Sequence, residues 1–293
     1  MTTAIAAAAV SSVPPARSGF ATFVRRHPTV VIGGALLLCI VVASIAAPWL
    51  GTVDPINIDP SHRLQGPSSE HWFGTDRFGR DLYSRVMYGG RVSLIVGLSV
   101  AALSTAIGLV IGLISGYLRA VDAVVMRIMD GMMAIPAIML AIALIALSKA
   151  SVIIVIVAVT LPEIPRVVRL VRSVVLTIRE QPYIEAATAI GTSVPRIMLR
   201  HLLPNALPPL IVQATYIGAS AVLIEAALSF LGAGTPPEIP SWGNIMAEAR
   251  PYFQLKPWMV LLPGMFLAVT VLAINLVGDG LRDMLDPRLA RRM

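Results

Sequence analysis

Polar residues interrupt this chain at long, unequal intervals. Between them lie six stretches apolar enough to cross a bilayer: residues 30–50, 92–118, 124–147, 152–171, 206–231 and 258–276. A hydrocarbon core takes about 20 residues of helix. Backbone groups in lipid must bond within their own segment, so each stretch is expected as a helix and the fold as all-α. The pattern predicts a cytoplasmic tail over 1–29, a first membrane helix over 30–50 and an extracytoplasmic loop over 51–91. A five-helix core over 92–280 follows, holding a cytoplasmic loop at 172–205, and then a cytoplasmic tail over 281–293.

Composition agrees with lipid as the solvent. Of 293 residues, 56% are hydrophobic and 13% charged, and mean hydropathy is +0.80. A soluble fold needs more polar cover than that. The net charge of +7 therefore reads as an orientation signal, and nucleic acid is not an expected partner. Placing both termini inside puts Arg17, Arg25, Arg26, Arg119, Arg172, Arg179, Arg196, Arg200 and Arg282 on the cytoplasmic side. The outer arginines, Arg63, Arg77, Arg80, Arg85 and Arg91 among them, are largely offset by acids. Arg166 and Arg169 are expected near an inner helix end, and Trp49 and Trp258 fall at outer interfaces, where aromatic anchors belong. The single cysteine, Cys39, excludes an internal disulfide. A cleaved leader ending at Ala46-Ala47 is the alternative for the first stretch, whose apolar run is longer than the usual ~7–15 residues.

A few residues stand out within the spans. Gly108, Gly112 and Gly116 repeat every fourth position, placing them on one helix face where a neighbouring backbone can come close. Pro136, Pro162, Pro165 and Pro263 each remove a backbone donor and bend their helix. Glu225, with Ser229 one turn on, is a carboxyl at membrane depth. It either lines a polar pathway or bonds to another helix. Arg127 and Asp130 are spaced to pair on one face, and Asn275 and Asp279 share another.

The loop at 172–205 carries the most information. Pro182 breaks the extension of the fourth span, residues 183–190 form a short helix, and Gly191 stops it. Thr192 or Ser193 caps the next helix, with Pro195 in its first turn, and that helix meets Pro204. The small Ala186, Ala187 and Ala189 let another protein's surface approach, while an ordinary amphipathic loop helix reads equally well.

These residues resemble the EAA loop of ABC-importer permease subunits. Glu185-Ala186-Ala187, Gly191 and Leu203-Pro204 stand at that motif's spacing, with His201 in place of the usual Ile. Arg200-His201-Leu202-Leu203-Pro204-Asn205 is similar to the peptide/nickel branch. Further matches to the C-type dipeptide/oligopeptide subunit run almost the whole chain. They include His71-Trp72-Phe73-Gly74-Thr75-Asp76, Gly79-Arg80-Asp81, Glu225-Ala226-Ala227-Leu228-Ser229-Phe230-Leu231-Gly232, Pro240-Ser241-Trp242-Gly243 and Leu285-Asp286-Pro287-Arg288.

The resemblance implies a type I ABC-importer permease fold in a bacterial inner membrane and import of di- or oligopeptides. It implies a homologous second permease, two ATPase subunits docked on the short helix, and an extracytoplasmic binding protein. Glu185, Ala186, Ala187, Gly191, His201, Leu203 and Pro204 become ATPase-coupling residues, and Glu225 and Ser229 a pathway or gate. The only lysines are followed by Ala150 and Pro257, so no Walker A loop is present. ATP and Mg are expected on the partners, with no cofactor or metal on this non-catalytic chain. Nickel, glutathione or another small solute is the alternative cargo. An ion-gradient-driven secondary transporter is the alternative class, though the usual internal repeat is not seen.

Overall fold

The computed structural model describes residues 24–25, 27–148 and 150–285. Arg17, Arg26, Lys149, Arg288 and the match at Asp286-Pro287-Arg288 lie outside them. Among the described residues the secondary structure is helical. The long elements are α1 (Pro28–Ile45), α2 (Leu82–Tyr117), α3 (Arg119–Met133), α4 (Ala137–Ala146) and α5 (Val152–Arg179). Then come α6 (Pro182–Ala189), α7 (Val194–Ile197), α8 (Leu203–Phe230), α9 (Trp242–Ala249) and α10 (Trp258–Leu285).

Six spans are expected, and the described residues show four or five by length and composition. Four helical runs are long and apolar enough to cross a membrane: α1, α2, the run Val194–Phe230 and α10. The stretch at 124–147 is two helices, α3 and α4, that bend by 84° and pass as a span only together. Pro136 is the cause. It starts α4 from an extended ψ of 128° and donates no hydrogen bond to α3. The α5 helix has 28 residues, but Glu163, Arg166, Arg169 and Arg172 interrupt its apolar run.

The α2 helix starts ten residues before the predicted position 92. Asp81 accepts a hydrogen bond from the Ser84 backbone N–H at 2.7 Å and so caps the helix. Arg91, at the end of the added turns, is bonded to the backbone of α1. Arg91 Nε and Nη2 donate to the Ser44 and Ile45 carbonyls at 2.6 and 2.8 Å, closing the end of α1. Gly33 on α1 presses on α10, where an added Cβ would lie 2.7 Å from Leu276 Cβ. The segment is thus packed into the bundle.

The glycine stripe sets the centre of the fold. A Cβ on Gly108 would lie 2.5 Å from the Val167 side chain; on Gly112, 2.7 Å from Val171; on Gly116, 2.8 Å from Val175. Both rows step by four in the same direction, so α2 and α5 run parallel with one backbone seated in the other's valine ridge. Val167, Val171 and Val175 are buried in the largest apolar cluster, together with Leu210 and Ile217 of α8.

Residues 51–81 fold over one end of the bundle. Gly74 and Gly79 take positive φ of 76° and 78°, and a Cβ on Gly79 would overlap the Asp59 carbonyl. Beneath this cap sits a buried charge cluster. Arg80 donates to Asp76 at 2.6 Å and also to Glu248. Arg85, 1% exposed, lies 3.7 Å from Asp76 and 3.4 Å from Glu248. Two acids and two bases balance, which is the condition for burying them at all.

Candidate functional site

The predicted loop helix forms as α6, and its end is defined by backbone bonds. Gly191 N–H donates to Thr188 O and Thr192 N–H to Ala187 O, both at 3.0 Å. Gly191 takes φ of 81°. This is a Schellman closure, which needs a left-handed residue at that point. Ser193 precedes α7 without a side-chain cap bond, and Pro195 stands in its first turn.

The second loop helix meets Pro204 as expected, and the helical run continues through it. A π-helical turn, Met198–Leu202, joins α7 to α8, and Leu203 N–H bonds back to Met198 O. A proline in the first turn of α8 gives up a donor that the turn does not use. Asn205 Nδ2 donates to His201 O at 2.7 Å and satisfies a carbonyl beside the irregular turn.

The predicted residues divide into two faces. Ile184 and Ala187 turn inward, so Ala187 is not free to meet a partner, contrary to expectation. Glu185, Ala186, Gly191 and Pro204 are exposed, and His201 and Leu203 half-buried. Leu203 packs on the main apolar cluster, and His201 faces Tyr183 at 6.0 Å between ring centroids. The exposed surface mixes apolar and charged residues: Ile190 is 83% exposed, Leu199, Tyr183 and Val194 lie open beside it, and Glu185, Arg196 and Arg200 are exposed as well. A cavity of about 690 Å³ adjoins α6, lined by Tyr117, Arg119, Arg179 and Glu185 among others. Arg179 Nη1 donates to the Gly116 carbonyl at 3.2 Å, fastening the start of the loop to the end of α2.

Glu225 lies far from this loop, toward the capped end. It is fully buried and accepts from Ser93 Oγ at 3.1 Å and Ser229 Oγ at 2.9 Å. Ser229 meets Thr235, and Asn244 Nδ2 reaches the Thr235 hydroxyl at 2.9 Å. Trp242 Nε1 donates to Val86 O at 3.0 Å. These hydrogen bonds join α2, α8, α9 and the turn between them into one polar knot.

The pairs expected elsewhere are re-sorted. Asp130 pairs with Arg169 of α5 at 2.6 Å rather than with Arg127, because the bend turns α3 onto α5. Arg172 binds Asp122 in the same way, at 2.5 and 2.6 Å. Asp279 accepts from Tyr216 at 2.5 Å. His62 and His71 do come together, ring to ring at 5.7 Å, each held by an aspartate. No group of three or more His, Cys, Asp or Glu able to hold a metal occurs among the described residues. Sequence reading missed Glu163 and its pairing with Arg166. Their i,i+3 spacing between and after two prolines was the available signal.

Several apolar spans around a glycine-packed core, with a short loop helix held rigidly at one end, define a multi-pass helical membrane protein. Residues 108–291 match the family described as binding-protein-dependent transport system inner membrane component. Residues 23–67 match the N-terminal TM domain of oligopeptide transport permease C. The chain belongs to the first of these families, and it is an inner-membrane transport permease subunit. It is 53% identical over 268 residues to the probable peptide ABC transporter permease protein y4tQ of Sinorhizobium fredii, covering 92% of each chain. It is 42% identical to the dipeptide transport system permease protein DppC of Alkalihalophilus pseudofirmus, covering 95% of this chain and 92% of that one. It is 41% identical to the probable D,D-dipeptide transport system permease protein DdpC of Escherichia coli, covering 90% and 89%.

Proposed function

We propose that this chain is one permease subunit of an ATP-driven importer of di- or oligopeptides, acting with a homologous second permease, two ATPase subunits and a binding protein. ATP and Mg belong to the ATPases, and this chain carries no catalysis. Both termini and α6 face the cytoplasm. The first span, the broken span of α3 and α4, and α5 complete six crossings with the other three. The peptide cargo rests on the names of the relatives; nickel, glutathione or another small solute would use the same fold.

The observation that carries the coupling role is the build of α6. The loop turns exposed apolar residues toward solvent: Tyr183 on α6, Ile190 just past its end and Val194 at the start of α7. The helix is closed by Gly191 and tied through Arg179 to α2. Such a helix keeps its shape under load, as a part that transmits an ATPase movement must. Gly191→Pro forbids the left-handed φ and removes the donor to Thr188, so it undoes that closure. Glu185→Lys reverses the charge on the exposed side beside Arg179. Each is expected to leave membrane insertion intact and to lower ATPase co-purification and ATP-driven uptake about tenfold, the loss of roughly 1.4 kcal/mol of docking. Unchanged co-purification together with unchanged uptake would refute the role. Uptake by this chain alone, driven by an ion gradient with no ATPase present, would instead establish a secondary transporter.

Glu225 and Ser229 we infer to be a fixed joint at the gate end and not a lining of the path, because Glu225 is sealed from solvent. Glu225→Leu leaves the Ser93 and Ser229 hydroxyls without their acceptor, at about 1–3 kcal/mol. The expected outcome is a lower yield of folded subunit by size-exclusion chromatography. Normal yield with lost uptake would assign Glu225 to the path instead.

A further inference from the structure

The half of α5 nearer the loop turns outward a polar stripe that begins at membrane depth and runs past the loop-side edge of the hydrocarbon. Arg166, Arg169, Ser173 and Thr177 are all exposed, and their spacing of three or four puts them on one face. In the other half the exposed residues are Ile153 and Val157, as a lipid-facing surface requires. Three members of the stripe have local partners. Arg169 is held by Asp130, while Ser173 and Thr177 donate to the carbonyls of Leu170 and Ser173.

Arg166 is different. Its Nη1 donates to both oxygens of Glu163, at 3.0 and 3.1 Å. The Glu163 side chain is 1% exposed and that of Arg166 52%. The acid is therefore a buried anchor, and the guanidinium projects from it. Arg166 Nε and Nη2 make no hydrogen bond to the described residues. Counting about 20 residues of hydrocarbon from Val152 places Glu163 near the middle of the bilayer and Arg166 one turn closer to the loop end. A charge at that depth faces water or protein and not lipid.

We propose that Arg166, anchored by Glu163, is a transit site for a substrate carboxylate on the wall of the translocation path. The inference rests on the peptide-importer reading above. A peptide carries a free carboxylate at its C-terminal end, and that group must shed water as it crosses. The guanidinium fork matches a carboxylate through paired N–H donors, and two of its nitrogens are open. Glu163 has a second effect: it offsets the positive charge, so the carboxylate is held firmly enough to enter and loosely enough to leave, as conduction demands.

The test uses the assembled importer with Cys39→Ser and Leu170→Cys, the latter one turn from Arg166 along α5. A charged methanethiosulfonate reagent is added from water, and modification of this chain is followed by intact mass. The introduced thiol is expected to react. A dipeptide at about ten times its Kd should slow the reaction about tenfold, because the thiol then reacts only in the vacant tenth or so of the sites. The same dipeptide as its C-terminal amide should not. The slowing should vanish with Arg166→Gln and persist with Arg166→Lys. A thiol that does not react, a dipeptide without effect, an amide as effective as the acid, or slowing that survives Arg166→Gln overturns the proposal. Comparing acid with amide needs no change at Arg166, so it decides even if that variant fails to assemble. ATP-driven dipeptide uptake by the unmodified importer is measured beside it. Absence of uptake defeats the peptide-importer reading, whereas uptake without protection defeats the carboxylate site alone.

Discussion

Gly112→Leu is expected to abolish the folded protein, while Gly34→Leu is expected to leave it unchanged. The two positions differ only in what surrounds them. A Cβ on Gly112 would lie 2.7 Å from Val171 Cβ and 3.0 Å from the Val168 carbonyl oxygen, whereas nothing lies within 4 Å of a Cβ on Gly34. One neighbour at Gly112 is backbone, which cannot rotate aside. The remaining way to make room is to move α5 away from α2. That separation also opens the contacts at Gly108 and Gly116, because all three sit on one parallel seam. Overpacking at a single core site costs about 1–3 kcal/mol, and here three close contacts are loosened together. Folded yield in detergent, followed by fluorescence-detected size exclusion, reads the result. Equal yields from the two variants would show that the seam tolerates separation.

The second large effect is expected at Glu248. Glu248→Ala removes the shared acid of Arg80 and Arg85 and leaves two buried arginines facing one aspartate. Breaking a buried pair this way costs about 3–5 kcal/mol. The double change Arg85→Met with Glu248→Met removes one charge of each sign and keeps the Asp76–Arg80 pair. It is expected to recover most of the loss, since apolar replacement of a buried pair is often neutral. Thermal unfolding of the purified subunit in detergent measures both. A melting temperature unmoved by Glu248→Ala would mean that solvent already reaches the cluster.

Much of this organisation could be read from residue order. Apolar runs located the helices because lipid leaves the backbone no other option. Three glycines at intervals of four announced a close seam, and the turn chemistry of Pro182 and Gly191 bounded α6. What escaped was set by partners distant in the chain. Residues 82–91 look too polar for a membrane helix until Arg91 is seen closing α1 and Arg85 meeting Glu248. Asp130 has Arg127 three places away, yet the bend at Pro136 delivers it to Arg169, 39 residues on. Ala187 lies in an alanine-rich motif whose inward and outward members cannot be told apart without knowing which side the bundle occupies. Glu163 was passed over because Arg166 and Arg169 beside it read as the inner end of a span and not as membrane depth.

The seam between α2 and α5 also has a mechanical meaning. The α2 helix has 36 residues, about 54 Å at 1.5 Å per residue. Near one end Val86 accepts the indole N–H of Trp242, and at the other Gly116 accepts from Arg179 at the root of the loop that carries α6. With α5 clamped along it, this pair is a stiff beam gripped at both tips. In the coupling role proposed for α6, a push on it would reach α9 as a tilt of the whole beam, and the cap would move by leverage and not by relaxation spreading from residue to residue.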